Sequence, residues 1–168
     1  MYQSIEQVVN DWNQEAALTL KVLEAMTDAS LKQAVSATRP RTLGDLAWHV
    51  ASAPVGILGS AGLQIAGPDF KRPVPANAAE IVEAYRGMSA AVAEAIKAKW
   101  TDARLSESLL LFGAMNMTYD GVVTLVVRHQ IHHRGQMTIL MRQADAVPPG
   151  VYGPNEEEGA AIRAARGQ

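Results

Sequence analysis

The chain has 168 residues, 48% of them apolar and 19% charged, with a formal charge of −2. That length suits one domain of ~100–200 residues, and so apolar a composition excludes a disordered chain, which needs low hydrophobicity and high net charge. The absence of cysteine excludes disulfide scaffolds, thiolate metal sites and thiol nucleophiles within the chain, and the small negative charge supplies no field for nucleic acid.

Met1–Glu15 alternates polar and apolar residues and has no Lys or Arg ahead of its apolar positions, so it does not read as a secretory leader and a soluble cytoplasmic protein is expected. A first helix is predicted from Ser4 to Met26: Ser4 and Gln7 have capping-box spacing, and Ile5, Val8, Val9, Trp12, Ala16, Leu20 and Leu23 recur at helical intervals. Thr27–Pro40 is a connection with a short helical piece at Leu31–Val35. Thr42 and Asp45 open a second helix reaching Leu63, with a kink or break near Ala51–Ala53 ahead of Pro54. Ala66–Ala76 carries three prolines and a glycine and is a loop.

Asn77 and Glu80 then open a third helix, where Ile81, Ala84, Tyr85, Met88, Val92, Ala95 and Ile96 form one stripe, ending near Trp100. Thr101–Met117 is irregular or holds a short extended piece at Ser108–Phe112. Thr118 caps a fourth helix ending at Met141 or Ala144. Val147–Pro154 is a turn segment, and Asn155–Ala165 has the pattern of a terminal helix. Residues 1–168 are expected to be one helical domain with 147–168 as its C-terminal turn and tail. Four amphipathic helices and little strand signal predict an all-α fold, a four-helix bundle.

Between Asp45 and Asp69 there is no charged residue, a length that raises the question of a membrane span. Trp48, His49, Ser52, Pro54, Gln64 and several glycines make transfer into lipid unfavourable, so a buried helix with small residues for close packing is expected.

The chemistry concentrates on histidine. On the fourth helix Val122, Val126, His129, His133, Gln136 and Leu140 fall on one stripe, with His129 and His133 about 6 Å apart along it. Two imidazoles at that spacing can converge on one metal ion at about 2.0–2.1 Å per bond. His132 points about 60° off the stripe. On the second helix Leu46, Val50, Ala53 and Ile57 mark the buried face, and His49 sits among them. An inward His49 facing His129 and His133 gives three ligands and an open position, the count of a catalytic zinc site. Spacing alone also admits the plain alternative of three core histidines, each hydrogen-bonded locally. Gln130 stands where a His-Glu-x-x-His protease would carry its glutamate, so that enzyme class is excluded.

The run His129-Gln-Ile-His-His-Arg-Gly-Gln136, followed by Val147-Pro-Pro, together with Thr42-Leu-Gly-Asp-Leu-Ala-Trp-His49-Val, resembles the DinB/YfiT-like superfamily over most of the chain. The resemblance implies a four-helix bundle in up-down-down-up order, a homodimer, and a divalent metal, nickel or zinc above all, held by His49, His129 and His133. It also implies a small-molecule substrate and, for some members, a low-molecular-weight thiol cosubstrate, with neither nucleic acid nor membrane as partner.

Around this centre Gln136 is a candidate to bond a ligand, water or substrate, or else a packing amide. Tyr119 is the second catalytic candidate, and with Asn116 it is placed at the mouth of the site. Asp45 is read as a helix cap ahead of a carboxylate partner for His49, and Arg134 as a surface or interface ion-pair former. Gly135 allows close helix approach or ordinary packing. Trp12, Trp48, Met115 and Met117 are read as core or pocket wall, and Glu156–Glu158 as a solvated helix start. With no cysteine and no carboxylate beside the histidine pair, thiolate activation by a metal-dependent S-transferase is favoured over a metal-dependent hydrolase, and both over a non-catalytic metal-binding stress protein.

Overall fold

The computed structural model describes residues 2–167. Its helices are α1 (Ile5–Glu24), α2 (Leu43–Ser60), α3 (Ala78–Lys99), α4 (Tyr119–Gln143) and α5 (Glu156–Ala165). Each begins where a side chain takes the orphaned first-turn amides. Ser4 Oγ accepts from Gln7 N–H, Asn77 Oδ1 from Ala79 and Glu80 N–H, and Thr118 Oγ1 from Gly121 N–H. Thr42–Asp45 and Asn155–Glu158 close complete capping boxes.

The fold is mostly helical but carries small antiparallel sheets, which corrects the all-α expectation. Strand β1 (Ala34–Ser36) pairs with β2 (Arg39–Thr42), and β3 (Ser108–Leu111) with β4 (Met115–Thr118). The first hairpin replaces most of the helical piece expected at Leu31–Val35, of which only a 3-10 turn at Ser30–Lys32 forms. Pro40 fits in β2 because a two-stranded sheet leaves half of its backbone groups outside the ladder. In the second hairpin Phe112 and Gly113 take positive φ, 54° and 69°, and reverse the chain between strands. The break expected before Pro54 is absent: α2 is helical throughout, and Ser52 Oγ donates back to the Trp48 carbonyl at 2.8 Å.

The long helices pack as the pairs α1 with α3, α2 with α4, α2 with α3, and α1 with α4. Tyr2 N–H donates to Asp120 near the starts of α1 and α4, and Thr19 reaches Gln130 further along both, so these two run the same way. Asp28, beyond the end of α1, accepts from Ala78 N–H at the start of α3, so α3 runs against α1. Helix α2 runs against α4: Ser60 at its end takes the Phe112 N–H in the hairpin that leads into α4. The core between them holds Val8, Trp12, Leu23, Leu43, Val50, Leu58, Ile81, Tyr85, Val92, Val122 and Met137, all essentially inaccessible to solvent. Trp12 meets its polar requirement by donating Nε1–H to the Ser89 carbonyl at 2.9 Å.

No helix among the described residues is long and apolar enough to cross a membrane. The charge-free stretch after Asp45 is instead the body of α2, whose Leu46, Ala47, Val50, Ala51, Ile57 and Leu58 are buried, followed by the start of the loop that leads to α3. The C-terminal segment is fastened to the helices, with Lys21 Nζ donating to the Gly150 carbonyl and Arg142 pairing with Glu157 through two bonds of 2.5 and 2.6 Å. Glu156–Glu158 are exposed in the first turn of α5, the solvated helix start expected, and within it Glu157 is also an ion-pair partner and Glu158 a helix cap.

Candidate metal centre

The antiparallel contact of α2 with α4 sets His49 against His129 and His133. Their ligating nitrogens all lie within 4.8 Å of one another, with His49 Nε2 and His129 Nε2 2.9 Å apart. The rings meet edge to face, with centroids 4.5–4.8 Å apart, so their nitrogen edges converge instead of stacking. Three imidazoles on one tetrahedral ion at about 2.0–2.1 Å would have nitrogens about 3.3 Å apart. Side-chain adjustments of about 1 Å or less reach that geometry, so the donor set fits a divalent transition metal. No fourth His, Asp or Glu joins the group among the described residues.

The electrostatics suit ligation, which requires neutral imidazole. Burial and then the neighbouring His133, His49 and His132, with Arg41 beyond them, lower His129 to about 4. Burial also lowers His49, followed by the effects of His133 and Arg41. His133 is lowered by burial too, with its bond to Gln136 acting in the opposite direction. Near neutral pH all three offer lone pairs. Gln136 Oε1 lies 2.7 Å from His133 Nδ1, and its Nε2 lies 3.0 Å from His132 Nε2. The amide carbonyl can only accept, so His133 carries its proton on Nδ1 and turns Nε2 towards the cluster, as outer hydrogen bonds do for metal-bound imidazoles. Gln136 is thus brought to the site as a positioning group, while exposed His132 stays outside the cluster.

Other expected site residues lie elsewhere. Tyr119 begins α4 ten residues before His129, about 15 Å along the helix axis. Its hydroxyl accepts from Arg104 Nη2 at 2.7 Å, and its ring packs on Trp100. Asn116, in β4, pairs with Leu110 across the hairpin at that same far end. Asp45 spends both carboxylate bonds on the backbone and hydroxyl of Thr42, so it caps α2 and does not reach His49. Met115 is exposed, contrary to its reading as core or pocket wall, Met117 is half-buried, and Trp12 and Trp48 are core. Gly135 is exposed, and a Cβ there would touch nothing, so it mediates no close approach within the chain.

Arg134 is the largest correction. It is 2% exposed, not a surface residue, and its guanidinium bonds Glu15 Oε2 at 2.7 Å, the Glu15 carbonyl and Thr19 Oγ1 at 3.0 Å each, and the Tyr152 hydroxyl. Tyr152 in turn donates to Glu15 Oε2 at 2.7 Å. Beside this network Gln130 Oε1 accepts from Tyr85 and Thr19, so the residue that replaces a protease glutamate is a buried structural amide. Helix α4 therefore buries two stripes, one with His129 and His133 facing α2 and one with Gln130 and Arg134 facing α1.

A groove of about 310 Å³ opens beside the histidines, lined by Val35 of β1, Arg41 of β2, Leu46 of α2, and Gln136, Ile139 and Leu140 of α4. Sequence reasoning passed over Arg41, because only the β1–β2 hairpin brings it there.

The sequence matches the DinB family over residues 1–166. It is 39% identical over 158 residues to the uncharacterized protein YrdA of Bacillus subtilis, covering 94% of this chain and 93% of that one. A crystal structure of a DinB-like protein from Bacillus cereus superposes with a TM-score of 0.85 at 40% identity, covering 90% of this chain and all of that one. The chain belongs to the DinB family.

Proposed function

We propose that this protein is a metal-dependent S-transferase that joins an intact small thiol, through its sulfur, to a small electrophilic acceptor, the thiol proton leaving with the acceptor's displaced group. The carrying observation is a three-imidazole cluster with no fourth protein ligand among the described residues, beside an open groove. His49, His129 and His133 would hold the ion, zinc or nickel, and Gln136 would fix the tautomer of His133. Bound there, such an ion supplies Lewis acidity, which lowers the pKa of a thiol or a water brought to it. The surrounding residues favour the thiol. Gln130 is a buried amide and Asp45 is committed to a cap, so neither stands ready to pass a proton to the leaving group of a hydrolysed substrate. A thiolate needs no general base once its pKa is lowered. The chain has no cysteine, so the thiol comes as a cosubstrate.

The frame we infer is one domain spanning residues 1–168, an up-down-down-up four-helix bundle with hairpin insertions, supported by the pairwise helix directions. A homodimeric, cytoplasmic protein acting on small molecules completes the reading.

The test is turnover of zinc- or nickel-loaded protein on electrophile panels with and without small thiols. Thiol consumption that depends on the metal and is lost in His49→Ala supports the transferase. Thiol-independent hydrolysis identifies a hydrolase instead, and loaded protein inert in both screens identifies a non-catalytic metal-binding protein.

A further inference from the structure

The groove beside the histidines has a one-sided chemistry. Its walls are aliphatic, and Val35 and Ile139 at its edge are 43% and 60% exposed. Its polar lining consists of Arg41, Gln136 and Gln143, so it holds one cation and no carboxylate. Arg41, like most arginines of the chain, has no ion-pair partner among the described residues, and its place in this apolar lining is what sets it apart. The groove is lined by no histidine but borders the cluster: Gln136 lines it and bonds His133, and Leu46 lies one turn before His49.

A free guanidinium over an aliphatic trough matches an anion with a short apolar body. Arg pairs with a carboxylate through two parallel bonds, a fit that a lysine would not give. One guanidinium with no second cation in the lining suits a monoanionic carboxylate better than a dianionic phosphate.

We propose that this groove is the binding site for a small aliphatic carboxylate, with Arg41 holding the carboxylate and Val35, Ile139 and Leu140 the body, so that the opposite end of the molecule lies at the three histidines. This specifies the substrate class of the enzyme proposed above and rests on that reading for its catalytic meaning, though not for binding. The carboxylate belongs either to the thiol cosubstrate or to its acceptor.

The test is an NMR titration of metal-free and zinc-treated protein with hexanoate, hexanamide, 3-mercaptopropionate and inorganic phosphate. The wild type is followed alongside Arg41→Gln, an exposed position whose change leaves the core untouched. Hexanoate is expected to shift the side-chain amides of Gln136 and Gln143 and the methyls of Val35 and Ile139, in both metal-free and zinc-treated protein. Hexanamide is expected to bind about tenfold more weakly, as loss of a charge-assisted pair requires. Arg41→Gln is expected to weaken hexanoate by a similar factor and leave hexanamide unchanged. Tighter binding of 3-mercaptopropionate than of hexanoate in zinc-treated protein alone supports the proposal with the thiol as carboxylate source, and the reverse order supports it with the acceptor as source.

Equal affinity of wild type and Arg41→Gln for hexanoate overturns the proposal. So does hexanoate binding only after zinc addition, which would make the carboxylate a metal ligand and leave the proposed enzyme standing. Phosphate binding the same residues more tightly than hexanoate also overturns it. Arg41-dependent hexanoate binding in a protein that takes up no metal supports the groove while removing the proposed metalloenzyme.

Discussion

Replacing Gln136 by leucine removes the carbonyl that accepts from His133 Nδ1 at 2.7 Å and the amide that reaches His132 at 3.0 Å. His133 then loses the partner that fixes its tautomer, and its ring gains rotational freedom. Losing an outer partner of a metal-bound histidine costs 10–100-fold in affinity as a rule. Gln136 is exposed, and one neutral hydrogen bond contributes about 0.5–1.5 kcal/mol, or about 2- to 12-fold. The two ranges meet near tenfold, about 1.4 kcal/mol. Zinc affinity measured by competition with a chromophoric chelator near neutral pH should therefore fall by about that factor in Gln136→Leu. Gln136→Glu should match or exceed the wild type, because a carboxylate is the stronger acceptor for Nδ1–H. His132→Ala should change affinity little, since that ring lies outside the cluster. Affinity unchanged within a factor of two in Gln136→Leu would refute the argument that Gln136 positions His133.

Glu15→Ala leaves the Arg134 guanidinium buried without its counter-ion and should cost about 3–5 kcal/mol in chemical denaturation. The double change Glu15→Leu/Arg134→Met should recover most of that loss, and an equally large loss in the double variant would refute the electrostatic reading. Metal-free protein should lose stability as pH falls from the ordinary histidine value of 6.5 towards about 4. The unfolded chain takes up protons first there, because His129, His49 and His133 are all lowered in the folded state. A denaturation midpoint that stays level across that window, with the wild type compared to His129→Gln, would contradict it. Tyr119→Phe should cost about 1 kcal/mol through the lost Arg104 bond and leave metal content at the wild-type value. Reduced metal content in that variant would place Tyr119 at the centre after all.

The histidine site was legible because ligand convergence on a helix is a matter of period. His129 and His133 are four apart among Val122, Val126 and Leu140, and His49 lies among Leu46, Val50 and Ile57, so facing helices bring all three together. The reading failed where a residue's neighbours come from a third element. Arg134 lies off the His129–His133 stripe, and one stripe per helix would put it in water. Helix α4 touches α1 as well as α2, and Val123, Val127, Gln130, Arg134, Met137 and Met141 repeat at spacings of three and four as a second buried face. That spacing was present in the sequence, interrupted by a charge that only Glu15 explains. Tyr119 was misplaced because its position along the helix counts as much as its face. The hairpins were read only in part: β3 was expected as a short extended piece at Ser108–Phe112, but Ala34–Ser36 and Met115–Thr118 are too short for alternation to register, and no Asn-Gly or Asp-Gly turn marks either. Arg41 was lost with the first of them.

The central claim is that His49, His129 and His133 together hold one divalent transition metal. Elemental mass spectrometry of protein purified without a polyhistidine tag tests it most directly, comparing the wild type with the folded His49→Ala/His133→Ala variant. About one equivalent of zinc or nickel in the wild type and none in the variant is the result the three-imidazole geometry predicts. Wild-type protein without metal, and unable to take it up after zinc and nickel addition, would contradict the claim and leave three histidines of the α2–α4 contact with no ion between them.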